Sequence, residues 1–389
     1  MTAPPVPFFM FRLFFIAVSI GLIIRFYYAL RSAGVSLAAR IGVSLVIILF
    51  SLTFFLSRMI EGNGFMPKAL TFLGTFFSAF LFHALVAWAL LGIFRLFNWL
   101  FRWIVVTPEN RRRWYARCCA GIVGAAFLMC VAGGINSQFL AVREGKIEAP
   151  QGIAPLRIVA LSDLHLGRLA SVDYLADIVA RIEPLSPDIV FFVGDILEYN
   201  VDHSEADALA AVLQRLKPRL GLWGVMGNHE YMGNKPELNR QLLNRMGIHM
   251  LIDQWAELEI THEGNPSGKI LLIGRDDRRE RTLSIQDVIA DAPADALKIL
   301  LDHQPFGLEE AEEAGVFLQL SGHTHNGQFF PLNFIVSNIF ENAHGYSRRG
   351  ETHYWVTSGV GTWGARIRTS GRPEIVLIDL IPEEETLSR

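Results

Sequence analysis

Four long apolar stretches before residue 150 limit what this chain can become. Residues 8–30 are interrupted by Arg12 and Arg25; residues 41–57 carry no charge; in residues 69–94 the one titratable group is His83; residues 118–142 are again uncharged. A helix needs about 20 apolar residues to cross a bilayer, and soluble helices are seldom apolar on every face for so long. The four stretches are therefore expected to span a membrane as an all-α anchor over residues 1–146. The first is the weakest. Its arginines either snorkel to the two interfaces or leave it as an interfacial helix. No small-residue cleavage site follows it, which argues against a removed signal peptide.

Charge divides near the same place. Residues 1–150 hold 14 Lys/Arg against 4 Asp/Glu, leaving 21 against 34 in residues 151–389, so a +10 half and a −13 half make up the net charge of −3. Arg95, Arg102, Arg111, Arg112, Arg113 and Arg117 lie between the third and fourth stretches, whereas Arg58 and Lys68, offset by Glu61, lie between the second and third. The positive-inside rule puts the six-arginine loop in the cytoplasm, with Arg25, Arg31 and Arg40 beside it. Both termini and the acidic half are then expected on the far side.

The acidic half lacks the clustered Lys and Arg that hold a phosphate backbone, so no nucleic-acid partner is expected. Cys118, Cys119 and Cys130 all lie in the apolar half, which leaves the rest without a disulfide or a thiolate zinc site. His83, with no charged neighbour in a span, reads as a packing residue rather than a proton relay. Gly121, Gly124, Gly133 and Gly134 read as places where helices approach closely in a packed anchor.

At residues 143–155 charges, glycines and prolines suggest a hydrated tether, with the linker proper at 147–155. Beyond it, short apolar runs at 156–161, 189–193, 222–226, 270–273, 297–301, 316–320, 354–357 and 375–380 alternate with amphipathic stretches at 172–182, 205–216 and 237–246. That alternation predicts an α/β domain over 156–389 with strands buried on both faces.

Metal-binding side chains follow five of these runs. They are Asp163 and His165, then Asp195, then Asn228 with His229, then His303, then His323 with His325. The crevice beyond the carboxyl ends of strands is where open α/β sheets bind ligands, so the five groups can converge. In extended chain, residues two apart point the same way, which would aim the Asp163–His165 and His323–His325 pairs. His, Asp and Asn without thiolate suit Mn²⁺, Fe or Zn²⁺ better than a Ca²⁺ cage.

With these motifs, and with Ser358, Gly359, Val360, Gly361 and Thr362 closing the pattern, residues 157–380 resemble the calcineurin-like metallophosphoesterases, within them the bacterial membrane-associated branch. The resemblance implies a four-layer αββα sandwich and two divalent metal ions. It implies that Asp163, His165, Asp195 and His325 hold the first and that Asp195, Asn228, His303 and His323 hold the second. Such paired ions activate a bridging hydroxide for in-line attack on a phosphate ester or anhydride. His229 then resembles the histidine that stabilises phosphoryl charge or protonates the leaving oxygen, and Glu198 is a candidate to orient it.

Two departures narrow the expectation. Asp195 is followed by Ile196, Leu197, Glu198, Tyr199 and Asn200, not by the pattern of protein phosphatases, which disfavours phosphoprotein substrates. Asn326 stands where close relatives have glycine, beside the ligands. Residues 329–340 are more apolar than a loop needs; a core strand is the favoured reading, with contact to bilayer or acyl chains as the alternative. Trp363, Arg348, Arg349, Arg366 and Arg368 are candidates for a phosphate-binding rim, although solvated surface is the commoner role for such arginines.

Together these features predict a phosphohydrolase in a bacterial inner membrane, its catalytic domain on the extracytoplasmic side, acting on a lipid-linked or small envelope phosphate compound. One alternative is a pyrophosphatase of a UDP-diacylglucosamine-type nucleotide-sugar lipid, whose cytoplasmic substrate conflicts with that orientation. Another is a membrane sensor or transporter with a degenerate phosphoesterase-like domain, against which the full set of expected ligands argues. Oligomeric state is not legible in the sequence.

Overall fold

In a computed structural model of the chain, which describes residues 6–382 apart from 61, 108–109, 200, 234 and 263–264, the apolar stretches are four helices. Of residues 6–12, 262, 265 and 266 only the backbone is described, so the Arg12 side chain, Glu61 and Asn200 lie outside the described residues. The helices are α1 (Val6–Ser32), α2 (Leu37–Met59), α3 (Phe65–Phe101) and α4 (Arg111–Asn136), each long and apolar enough to cross a membrane. They bury Phe15, Leu22, Ile47, Phe54, Phe77, Leu81 and Ile122 against one another, while Leu13, Leu45, Leu49, Leu90 and Leu128 stay exposed. An apolar exterior suits lipid and is the opposite of what a soluble bundle presents.

Gly74 makes a close approach in this unit, where any Cβ would strike the Phe54 backbone, whereas Gly121 and Gly124 face open space. His83 Nδ1 lies 2.7 Å from Ala79 O, a packing hydrogen bond along its own helix. The fourth helix stops at Asn136, six residues before the expected end of the span, because residues 141 and 142 already belong to a strand.

A second compact unit starts at Asn136. Its first strand, β1 (Ala141–Ala149), occupies the stretch expected to be a hydrated tether, and only residues 150–155 are a loop. The misreading has a physical cause. β1 is a sheet edge that buries Ile147 and Ala149 and exposes Val142, Arg143, Glu144, Lys146 and Glu148, and a charged edge strand has a linker's composition.

The first sheet continues with β2 (Leu156–Leu161), β3 (Ile189–Val193), β4 (Leu222–Val225) and β5 (Ile248–Met250). The second contains β6 (Gln254–His262), β7 (Asn265–Gly274), β8 (Leu297–Leu301), β9 (Leu318–Ser321), β10 (Gly345–Arg349) and β11 (Thr352–Val356), and β12 (Glu374–Pro382) returns to the first. Among the described residues the orders are β1-β12-β2-β3-β4-β5 and β10-β11-β9-β8-β7-β6. Strands β2 to β5 are mutually parallel, as are β7, β8, β9 and β11.

Alternation within each strand builds the layers. Ile158, Phe191, Ile270, Ile299 and Leu318 meet between the sheets, whereas their neighbours Val159, Val190 and Phe192 turn to the outer face of the first sheet. There they pack under α5 (Val172–Ile182), α6 (Ala206–Leu213) and α8 (Pro236–Arg245), which follows the single turn α7 (Asn228–Tyr231). Leu271, Ile273 and Leu300 pack under α9 (Ile285–Val288) and α10 (Leu308–Glu313) on the far side of the second sheet. Helix, sheet, sheet and helix make the expected four-layer αββα sandwich. Each Leu, Ile or Phe so buried contributes roughly 1.5–3 kcal/mol.

Residues 329–340 are not a core strand. They form α11 (Leu332–Ile339), none of whose side chains is buried. The spacing of Leu332, Ile335, Val336 and Ile339 is that of one helical face, which the overall apolarity of the segment masks.

Candidate metal centre

The carboxyl ends of β2, β3 and β4 from one sheet and of β8 and β9 from the other each lead directly into a candidate ligand. Extended-chain alternation does not aim them. Asp163, His165, Asp195, His323 and His325 all take left-handed φ values of 49–68°. Asp and His tolerate that region better than most residues, but it is strained enough to need support. Support comes from the backbone: Asp163 N donates to Gly194 O at 3.0 Å, His165 N to Asp195 O at 3.0 Å, and Gly361 N to Asp163 O at 2.8 Å. His323 N adds a bond to Asp163 Oδ2 at 3.0 Å, tying the two sheets together.

The result is three overlapping groups, two of which share Asp195. Ligand atoms of Asp163, His165 and His325 fall within 4.8 Å of one another, as do those of Asp195, His303 and His323; His165, Asp195 and His229 form a third such group. His165 Nε2 and His325 Nε2 are 3.2 Å apart, and His303 Nε2 lies 3.2 Å from Asp195 Oδ2. Asn228 opens α7 and is half-buried, its Oδ1 3.5 Å from Gln304 Nε2.

The donor set fits divalent metal ions. Asp163 Oδ1 and His303 Nε2 are buried without a hydrogen bond, a costly condition unless a cation completes them. His303 donates Nδ1–H to Val193 O at 2.8 Å, which turns its Nε2 toward Asp195. Burial disfavours ionised Asp195 and Asp163, yet the neighbouring His303 and His325 hold both carboxyls well below the usual range. Burial also lowers His323 and His325 to about 4, keeping them in the neutral form a ligand needs.

Glu198 sits between two histidines. One oxygen is 3.0 Å from His229 Nδ1 and the other 3.2 Å from His165 Nδ1. Burial alone would depress the His229 imidazole, but the Glu198 and Asp195 carboxylates outweigh it and push it up to about 10. His229 N also donates to Asp195 Oδ1 at 2.8 Å.

Several residues here were not singled out by their motifs. Glu230 is fully buried and accepts from the backbone N–H groups of Asp195, Leu197 and Gly227, which locks the β3 and β4 turns together. Ser162 Oγ donates to Val193 O at 2.7 Å. Gly227 and Gly322 leave no room for a Cβ against Asp195 and Asp163 respectively, and Gly359 and Gly361 back Asp163 in the same way. The glycines were visible as turn signals; Glu230 had no signal beyond its place after Asn228 and His229.

The arginine rim does not form as expected. Arg368 is fully buried, its Nη2 donating to Ser358 O and Gly361 O at 2.6 Å each behind His325. Arg348 and Arg349 pair with Glu351 and with Glu312 and Glu341, and exposed Arg366 lies over the Tyr174 ring. Asn326 has φ 47°, a left-handed position in which asparagine is the usual substitute for glycine.

Residues 156–327 match the family model described as calcineurin-like phosphoesterase. A transmembrane protein with metallophosphoesterase domain from Danio rerio is 34% identical over 243 residues, covering 59% of this chain and 54% of its own. An uncharacterized metallophosphoesterase of Helicobacter pylori strain J99 is 32% identical, over 59% of this chain and 61% of its own. The chain thus spans little more than half of these two relatives. A third, an uncharacterized metallophosphoesterase of Aquifex aeolicus, is 30% identical over 268 residues, 66% of this chain and 97% of its own. Matched across the domain that carries the site, and across nearly the whole of one relative, the chain belongs to the calcineurin-like phosphoesterase family.

Proposed function

We propose that this membrane protein hydrolyses a phosphate ester or anhydride at the centre around Asp195. The observation that carries the proposal is the chain of three groups, Asp163 with His165 and His325, His165 with Asp195 and His229, and Asp195 with His303 and His323, linked through His165 and Asp195, with His229 held by Glu198. Asp163, His165, Asp195 and His325 would hold one divalent ion, and Asp195, Asn228, His303 and His323 the other; Mn²⁺, Fe and Zn²⁺ all suit these donors. Bound ions there supply Lewis-acid polarisation of phosphoryl oxygens and a lowered pKa for coordinated water.

The chain's own residues do the rest. Asp195, anchored through Glu230, fixes the spacing of the two ligand sets. His229, kept protonated by Glu198 and Asp195, is placed to stabilise charge on the phosphoryl group or to give a proton to the leaving oxygen. Asn228, next in chain to His229, ties the orientation of that imidazole to the ligand set.

The four apolar helices favour a lipid-linked or small envelope substrate, and the arginine distribution favours an extracytoplasmic catalytic domain in a bacterial inner membrane. An alkaline-phosphatase fusion at the C-terminus is expected to be active; an inactive one beside a fluorescent green fusion reverses that orientation. For the chemistry, the purified chain is expected to cleave bis(p-nitrophenyl) phosphate with added Mn²⁺. Asp195→Asn and His229→Ala should each lower turnover by about 100-fold or more. Activity that survives both substitutions overturns the assignment.

A further inference from the structure

Helix α11 shows water an uncharged and largely apolar surface. Phe330, Phe334, Ile335 and Ile339 are 43%, 59%, 54% and 57% exposed, and residues 327–340 contain no Asp, Glu, Lys or Arg. A monomeric domain seldom leaves such a cluster uncovered. Trp363, 39% exposed, adds an aromatic ring edge-on to Phe329 at 5.8 Å, and Trp is favoured at membrane interfaces.

Connectivity within the C-terminal unit indicates what covers it. Asn136, the first residue of that unit, is the last of the fourth apolar helix, and Ser137 follows it in the chain. Asn136 Nδ2 donates to Arg368 O at 3.0 Å and Gly371 O at 2.7 Å, and Ser137 Oγ donates to Arg366 O at 3.0 Å. The strip they fasten holds the start of α11: Thr369 N donates to Gln328 O, and Phe330 N to Thr369 Oγ1, both at 2.9 Å. The end of the fourth apolar helix and the start of α11 are thus bonded to one short segment.

We propose that α11 is an interfacial helix whose Phe330, Phe334, Ile335 and Ile339 lie in the lipid surface of the membrane that anchors the chain. Phe340, at its end, stands 6.1 Å from the His323 ring and 4.6 Å from the Phe306 ring. The lipid surface would then lie one helix away from the metal centre, suited to a phosphoester carried on a lipid. That consequence rests on the hydrolytic reading; the contact itself does not. With no charge in the segment, the contact is apolar, and neither salt nor anionic lipid should alter it.

The test uses the full chain in phosphatidylcholine nanodiscs, spin-labelled at Ile335→Cys or Ile339→Cys. A control label at Leu238→Cys occupies an exposed position on α8, and the signal of labelled wild type is subtracted for the native cysteines. Collision with oxygen and with the water-soluble nickel–EDDA complex is measured. Labels at 335 and 339 are expected to meet the nickel complex at least about threefold less than the control while remaining open to oxygen, in low and in high salt. Nickel access equal to the control means water, and exclusion of both reagents means a protein partner such as a second copy; either overturns the proposal. The readout needs no turnover, so it fails or holds separately from the hydrolytic assignment.

Discussion

Glu198 touches both His229 and His165, so it links the proposed proton donor to a proposed metal ligand. Glu198→Gln is expected to lower kcat by roughly 10–100-fold and to weaken metal affinity together with it. The pH profile carries a sign. His229 is raised in the folded protein, so its charged form persists until pH climbs through about 10, and removing Glu198 should start its loss at lower pH. A kcat–pH profile with an unmoved alkaline limb would contradict the orienting role. Glycines give a second test at this scale. Gly322→Ala drives a Cβ into Ser162 Oγ and Asp163 Oδ2 and should abolish metal retention, whereas Gly121→Ala meets open space and should be neutral in metal analysis of the purified variants.

At the scale of elements, β1 is held to the sandwich by pairing with β12 and by Arg143 on the buried Glu374, 3.3 Å apart. Glu374 also accepts from Ser358 N at 2.9 Å and His344 Nε2 at 3.1 Å. Burial raises its pKa, but His344 and Ser358 outweigh burial and hold it below the ordinary 4.5. A depressed carboxyl stabilises the fold above its unfolded pKa and loses that contribution as pH falls through the folded value. Glu374→Gln should therefore cost about 1–3 kcal/mol at neutral pH, with the gap closing below about pH 4.5 in thermal melts. The runs that became β2, β3, β7 and β8 were legible because buried parallel strands are continuously apolar. Edge strands β1, β6 and β10 were not, since half of each faces water and their composition is that of loops. In the site, residue types and their place after strands were legible. The left-handed turns that aim them, and the buried Glu230 and Arg368 that brace them, depend on contacts between distant segments.

As a whole molecule, the protein joins a basic apolar anchor to an acidic sandwich, and its modest net charge averages two unlike parts. The anchor was legible almost entirely from stretch length, because the bilayer sets that length. The exposure of α11 was not, because exposure is a property of the folded surface; for residues 329–340 bilayer contact was only the alternative to a core strand. Whether Asp195 organises two metal ions in one site is decided by elemental analysis of the purified chain. Wild type should retain about two Mn, Fe or Zn ions per chain and Asp195→Asn about one or fewer. An undiminished metal content in Asp195→Asn, or full hydrolytic activity from chain that holds no metal, would mean that Asp195 does not organise such a site.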